Sequence, residues 1–250
     1  MRSCRRQPSP GEAGWKESEA MQPIADSSLD PAKARGTEPD AAGFVLAGGR
    51  SSRMGREKAL LLLDGKPLVV HALKVLREAE LTGTIAGGSS SLAAFAPMVE
   101  DSEPGRGPLG GICSALASTS TRRAVFLPLD LPLLPASLVS YLLRHEQITG
   151  AAITVPSVNG FAQSFPAVVD RAALPRLRAE LEAGRRGCYA GFQAAAASLG
   201  QPVMVLAIEL AVQSGRVAHP DGLPAARWFL NVNEPADLQL AAAYRAPLIA

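Results

Sequence analysis

Four cationic side chains, Arg50, Arg53, Arg56 and Lys58, crowd the nine positions that follow the small-residue run Ala47–Gly48–Gly49. Small residues let backbone N–H groups approach a ligand closely, and positive charge gathered beside them suits a polyphosphate. On this reading Leu46, Ala47, Gly48 and Gly49 grip a nucleotide through the backbone, while Arg53 and Lys58 neutralise its phosphates. Asp130 is the second candidate, because the apolar run Ala124–Val125–Phe126–Leu127 leads into it through Pro128–Leu129. A carboxylate leaving a buried strand at its carboxyl end can hold Mg²⁺ against a polyphosphate. Its alternative role is a helix cap, which Asp fills often. Asp101, Asn233 and the pair Arg185–Arg186 read, from the residues alone, as a solvated turn carboxylate, a turn former before Glu234–Pro235, and solvated loop cations. The three histidines, His71, His145 and His219, share no spacing that suggests a metal site or a catalytic triad.

The glycine-rich stretch is neither a P-loop, since no G-x-x-x-x-G-K-[ST] spacing occurs, nor a G-x-G-x-x-G dinucleotide fingerprint. Its full word, LAGG, Ser51, Arg53–Met54–Gly55 and Lys58, resembles the signature of nucleotidyltransferases with a Rossmann-like fold, and most closely the MobA-like molybdenum cofactor guanylyltransferases. Three later segments extend the resemblance over most of Gly43–Tyr244. LPLDLPLLP resembles the family's strand–Asp–x–Pro segment, which implies that Asp130 is a metal ligand. EDS followed by GPLGGI resembles the segment whose Asp contacts the nucleotide, which implies that role for Asp101. NVNEPADL resembles the late NxNxPxDL motif, which implies that Asn233 completes the metal site opposite Asp130. Gly184–Arg185–Arg186 resembles a basic stretch that would receive the acceptor's phosphate. One departure stands out: where the family carries a nucleotide-holding Asn after the second strand, this chain has Ala86, so base recognition is expected to lean on backbone groups.

These residues need a scaffold, and the chain can build one. Of its 250 residues 47% are hydrophobic and 19% charged, enough for a sizeable core. From Gly43 onward apolar strand-like runs alternate with helical patterns, predicting an α/β sandwich with a mainly parallel sheet. The resemblance makes this a three-layer Rossmann-like nucleotidyltransferase fold, one domain over residues 43–250. Strands are expected at Phe44–Leu46, Thr84–Ala86, Met98–Val99, Ala124–Leu127, Ala151–Val155, Phe165–Val169 and Val203–Ile208. Helices are expected after Pro67, from GPLGG through Ala117, from Pro135 through His145, over Arg171–Ala183 and Cys188–Leu199, and from Pro235 to near Tyr244. Ala211–Pro224 reads as loop. Residues 1–42 are rich in Pro, Ser, Asp and Glu and poor in large aliphatics, predicting a disordered tail, within which Met21 offers an alternative start.

Other classes are disfavoured. A net charge of +2 is too balanced for a nucleic-acid binder. No apolar run reaches the roughly 20 residues that span a bilayer, and Arg5–Arg6 lead into no signal-like segment. Three scattered cysteines, Cys4, Cys113 and Cys188, suit a reducing cytoplasm. The resemblance thus implies transfer of GMP from GTP to a molybdopterin-type cofactor with release of pyrophosphate, helped by Mg²⁺. Two rivals are a cytidylyl- or sugar-phosphate nucleotidyltransferase of the same fold and a nucleotide-binding regulator without turnover. Exact acceptor and oligomeric state are open at this point.

Overall fold

Ala41–Leu46 (β1) forms the middle of the sheet because its residues are apolar on both faces. Phe44 and Leu46 point into one core and Ala41 and Val45 into the other, the period of two that a strand imposes. The computed structural model describes residues 40–48, 57–102 and 105–245. The expected tail up to residue 39, Gly49, and the cations Arg50, Arg53 and Arg56 lie outside the described residues, all of which fall in one compact unit, Glu38–Ala250.

After β1 come a hairpin of Leu62–Leu63 (β2) and Lys66–Pro67 (β3), helix Leu68–Glu78 (α1), and strands Gly83–Ala86 (β4) and Met98–Val99 (β5). Helix Pro108–Ser118 (α2), strand Arg123–Pro128 (β6) and helix Ala136–Thr149 (α3) follow. Next are strands Ile153–Val158 (β7), Phe161–Ala162 (β8) and Ala167–Asp170 (β9), then helices Leu174–Glu182 (α4) and Cys188–Ser198 (α5). Strand Met204–Ala207 (β10) and helices Ile208–Gln213 (α6), Ala225–Trp228 (α7) and Pro235–Arg245 (α8) end the chain.

The strand order is β10-β7-β9-β6-β1-β4-β5, with β8 paired to β7. β1 lies parallel to both β4 and β6, β4 to β5, and β10 to β7. Within this sheet, among the described residues, only β9 and the short β8 run antiparallel to their partners, so the sheet is mainly parallel as expected. Helices α1 and α3 bury Leu68, Leu76, Leu138 and Leu142 on one face; α2, α4 and α5 bury Leu109, Leu116, Leu177 and Phe192 on the other. That is the three-layer arrangement. Phe44 and Phe126 stack across β1 and β6 with ring centroids 5.6 Å apart. No helix among the described residues is long and apolar enough to cross a membrane.

Several boundaries differ from the sequence reading. β1 starts at Ala41, three residues before the expected Phe44. Pro67 is the N-cap of α1 rather than its first helical residue, because it still pairs with Leu62 in the hairpin whose turn is Asp64–Gly65, both at positive φ. Helix α3 runs on to Thr149, where Gly150 in the left-handed region stops it; its last turn is polar and gave no apolar period to read. Ala211–Pro224 is not all loop, since α6 reaches Gln213; Val217 and Leu223 plug the core from irregular backbone, and Trp228 does so from the short α7.

Candidate active site

A cleft of about 1400 Å³ opens at the carboxyl edge of the parallel strands, where open α/β sheets place their ligands. Its floor is Leu46, Ala47 and Gly48, the end of β1. One wall comes from Gly87–Ser90 after β4 and Glu100–Asp101 after β5; Gly107 and Pro108 open α2 beside them. The opposite wall holds Lys58, Pro128–Leu131 and the Gln163–Phe165 segment between β8 and β9. Thus Leu46, Ala47, Gly48, Lys58, Asp101 and Asp130, singled out along more than 80 positions of sequence, share one cleft. Gly49 and Arg53 lie outside the described residues.

The charged part of the site is a three-way convergence. Lys58 Nζ lies 3.4 Å from Asp130 Oδ2 and donates to Asn233 Oδ1 at 3.0 Å. Local structure explains each position. Asp130 sits just past β6 and caps no helix, since α3 begins only at Ala136 with Pro135 as its N-cap. Its backbone carbonyl accepts from Val232 N–H at 2.8 Å, which carries Asn233 to the site across the core. Asn233 and Glu234 in turn donate their backbone N–H groups to Asp237 Oδ2 at 2.7 and 2.8 Å. These two bonds hold the Asp237 carboxyl below its ordinary range and fix the entry to α8. Sequence reading missed Asp237. The signal was present in the spacing N-E-P-A-D, which places a carboxylate in the first turn of the helix behind its own N-terminus.

On the other side the backbones of two loops nearly touch. Ala47 N–H donates to Ala86 carbonyl and Gly87 N–H to Val99 carbonyl, both at 2.9 Å, so the ladder β1–β4–β5 extends into the cleft. Gly87 has φ +75°, and a Cβ there would stand 3.1 Å from the Gly48 Cα. Glycine at this point is a condition of the close approach. The strand-end residue Ala86 offers no polar side chain, so what faces the cleft from the Gly87–Ser90 segment is backbone and serine.

Asp130 and Asn233 converge on a single ammonium through one carboxylate and one amide oxygen. That is a hard donor pair, and it fits a divalent cation whose remaining ligands come from phosphate and water. Among the described residues no group of three or more His, Cys, Asp or Glu side chains is gathered. The basic pair behaves unequally. Arg185 is engaged by Glu180 through a two-point contact, one arm at 2.9 Å, whereas Arg186 Nη1 reaches the carbonyl of cleft-lining Gly105 at 3.3 Å. His71, His145 and His219 do not line the cleft.

Residues 43–207 match the family model of the MobA-like NTP transferase domain. A molybdenum cofactor guanylyltransferase of Vibrio atlanticus is 36% identical over 146 residues, which take in 57% of this chain and 75% of that protein. One of Xanthomonas euvesicatoria is 42% identical over 106 residues, 42% of this chain and 54% of the relative. Among solved structures, the molybdopterin-guanine dinucleotide biosynthesis protein A of Archaeoglobus fulgidus superposes with a TM-score of 0.64 at 20% identity, covering 81% of this chain and 97% of its own. That likeness bears on the fold.

Proposed function

The chain belongs to the MobA-like NTP transferase family, and from that premise we propose that it transfers GMP from GTP to the phosphate of a molybdopterin-type cofactor, releasing pyrophosphate. The observation that carries this is the meeting of Lys58, Asp130 and Asn233 at the carboxyl edge of β1 and β6, beside a glycine floor. The floor, Leu46–Gly48, holds the nucleotide through backbone groups, a role that the sequence word extends to Gly49. Lys58, in the cleft, and Arg53, assigned from the sequence word alone, neutralise the triphosphate and the charge that builds on the departing pyrophosphate. Asp101, on the opposite wall, contacts the nucleoside.

The acceptor phosphate carries roughly −1.5 to −2 charge near neutral pH and needs no general base. The absence of histidine from the described cleft lining is compatible with that. An acceptor oxygen forms the new bond to the α-phosphorus, and the bond from that phosphorus to the bridging oxygen breaks. The bonding pair leaves with pyrophosphate. What the protein contributes is alignment and a fixed field of positive charge. Asp130 and Asn233 are the residues that would hold Mg²⁺, which when bound neutralises charge on the phosphate oxygens. We place the reaction in the cytoplasm, in keeping with the free thiol of Cys188.

The test is transfer from a triphosphate panel. With molybdopterin-type cofactor and Mg²⁺, label from α-labelled GTP should pass to the acceptor with one pyrophosphate released, and label from CTP should not. Transfer from CTP in preference to GTP would replace the guanylyl reading with the cytidylyl one.

A further inference from the structure

Glu57, the residue before Lys58, has no role in the reaction described so far, yet its carboxylate is the best-served acceptor at the cleft. Oε1 accepts the Ser89 backbone N–H at 3.0 Å. Oε2 lies 2.6 Å from Ser89 Oγ and 3.1 Å from Ser91 Oγ, and the two hydroxyl oxygens are 2.6 Å apart. Two hydroxyl protons serve these three oxygen contacts: Ser89 donates to the carboxylate, and the Ser91 hydroxyl reaches both Oε2 and Ser89 Oγ. Burial would raise the Glu57 carboxyl, but the side-chain and backbone hydrogen bonds from Ser89, with that from Ser91, outweigh it and hold the group below its ordinary range. It is ionised at neutral pH.

The segments joined this way are the two sides of the cleft. Glu57 stands at the foot of the turn that carries Lys58, on the phosphate side. Ser89 and Ser91 follow Gly87 and Gly88, whose wall of small neutral groups suits a base and ribose, and where this chain has Ala86 instead of an amide side chain. A wall that recognises through backbone must be held still by something else, and the contact between Gly48 and Gly87 fixes only its near end. We infer that Glu57 is a positioning residue for nucleotide recognition: its carboxylate clamps the Gly87–Ser91 segment to the stem of Lys58 and sets the span between the nucleoside wall and the phosphate-binding cation. This rests on the nucleotidyltransferase reading but not on the identity of the acceptor.

The experiment measures GTP binding by calorimetry, and GTP KM and kcat by pyrophosphate release, for wild type, Glu57→Ala, Glu57→Gln and Ser89→Ala/Ser91→Ala. Glu57→Ala should weaken GTP binding about tenfold or more, as loss of charge-assisted hydrogen bonds does, and raise KM far more than it lowers kcat. Glu57→Gln should restore much of the affinity, because its carbonyl still accepts from Ser89 N–H and the serine hydroxyls can turn to accept from its amide. The double serine variant should weaken GTP by less than Glu57→Ala, and adding Glu57→Ala to it should cost less than in wild type. Should Glu57→Ala fold poorly, the serine variant and Glu57→Gln carry the comparison. Equal GTP affinity in wild type and Glu57→Ala, or a lowered melting temperature with unchanged KM, would overturn the clamp alone. A wild type that binds no nucleoside triphosphate would overturn the functional reading beneath it.

Discussion

At its first residue β6 places Arg123, 7% exposed, against Glu146 of α3, which is fully buried, with Asp40 as a second partner. Just past its last residue comes Asp130, whose side chain keeps 32% exposure while facing Lys58. One strand therefore carries an ion pair at each end. At the amino edge the charges are withdrawn from water and tie helix to sheet, and removing either leaves its partner stranded in a poor solvent. At the carboxyl edge both charges stay wet, so each can exchange its partner for a phosphate or a cation at little cost. Burial, more than charge, separates architecture from a working site.

That contrast can be broken from the buried end first. Glu146→Ala should destabilise the fold by about 3–5 kcal/mol, because the Arg123 guanidinium loses its buried partner, while the folded fraction keeps its turnover. Urea denaturation with parallel transfer assays reads both quantities. A loss under about 1 kcal/mol would mean that Asp40 and solvent suffice, and the two ends would then be alike.

A smaller effect sharpens the distinction between structural and chemical polar groups. His71 is buried; its Nε2 donates to the Leu63 carbonyl at 2.9 Å, and its Nδ1 accepts from Arg245 at 3.1 Å. Desolvation, with the nearby Arg245 charge, lowers its pKa despite the bond to Leu63 and the charge of Asp64. His219 is lowered too, mainly by burial. Since the folded state keeps these rings neutral and the unfolded chain protonates near pH 6.5, their stabilisation is present above that pH. It is lost as pH falls from there through the lower folded pKa, at no more than about 1.4 kcal/mol per pH unit per ring. Wild type should therefore melt lower at pH 5.5 than at 7.5, and His71→Asn should narrow the gap. An unchanged gap in the variant would remove His71 from the account.

The parts of the site legible in sequence are those within one contiguous word or at the end of one apolar run. Lys58 and Asp130 are of this kind, and so is the glycine floor. Asn233 was reached through a motif, but what brings it to Lys58 is a backbone bond from Val232 to Asp130 across 102 positions, which no local pattern announces. Glu57 was hidden for the same reason: its donors lie 32 and 34 residues on, in a serine run that reads as a plain turn. The fold class was legible because strands of a parallel sheet are apolar on both faces. The 217–228 segment was not, since Val217, Leu223 and Trp228 are buried without any helical or strand period.

The most direct measurement on the open end of β6 is made with Asp130→Ala. Its carboxylate is about a third exposed, and its backbone bond to Val232 survives the change, so the protein should fold with a melting temperature close to wild type. Mg²⁺-dependent transfer from GTP should fall by on the order of 10²–10³ or more, the scale set by losing one electrostatic contact to the reacting group. A variant that turns over GTP near the wild-type rate with unchanged Mg²⁺ dependence would contradict the assignment. So would one whose lost activity merely follows lost folding, for then both ends of the strand would be architecture.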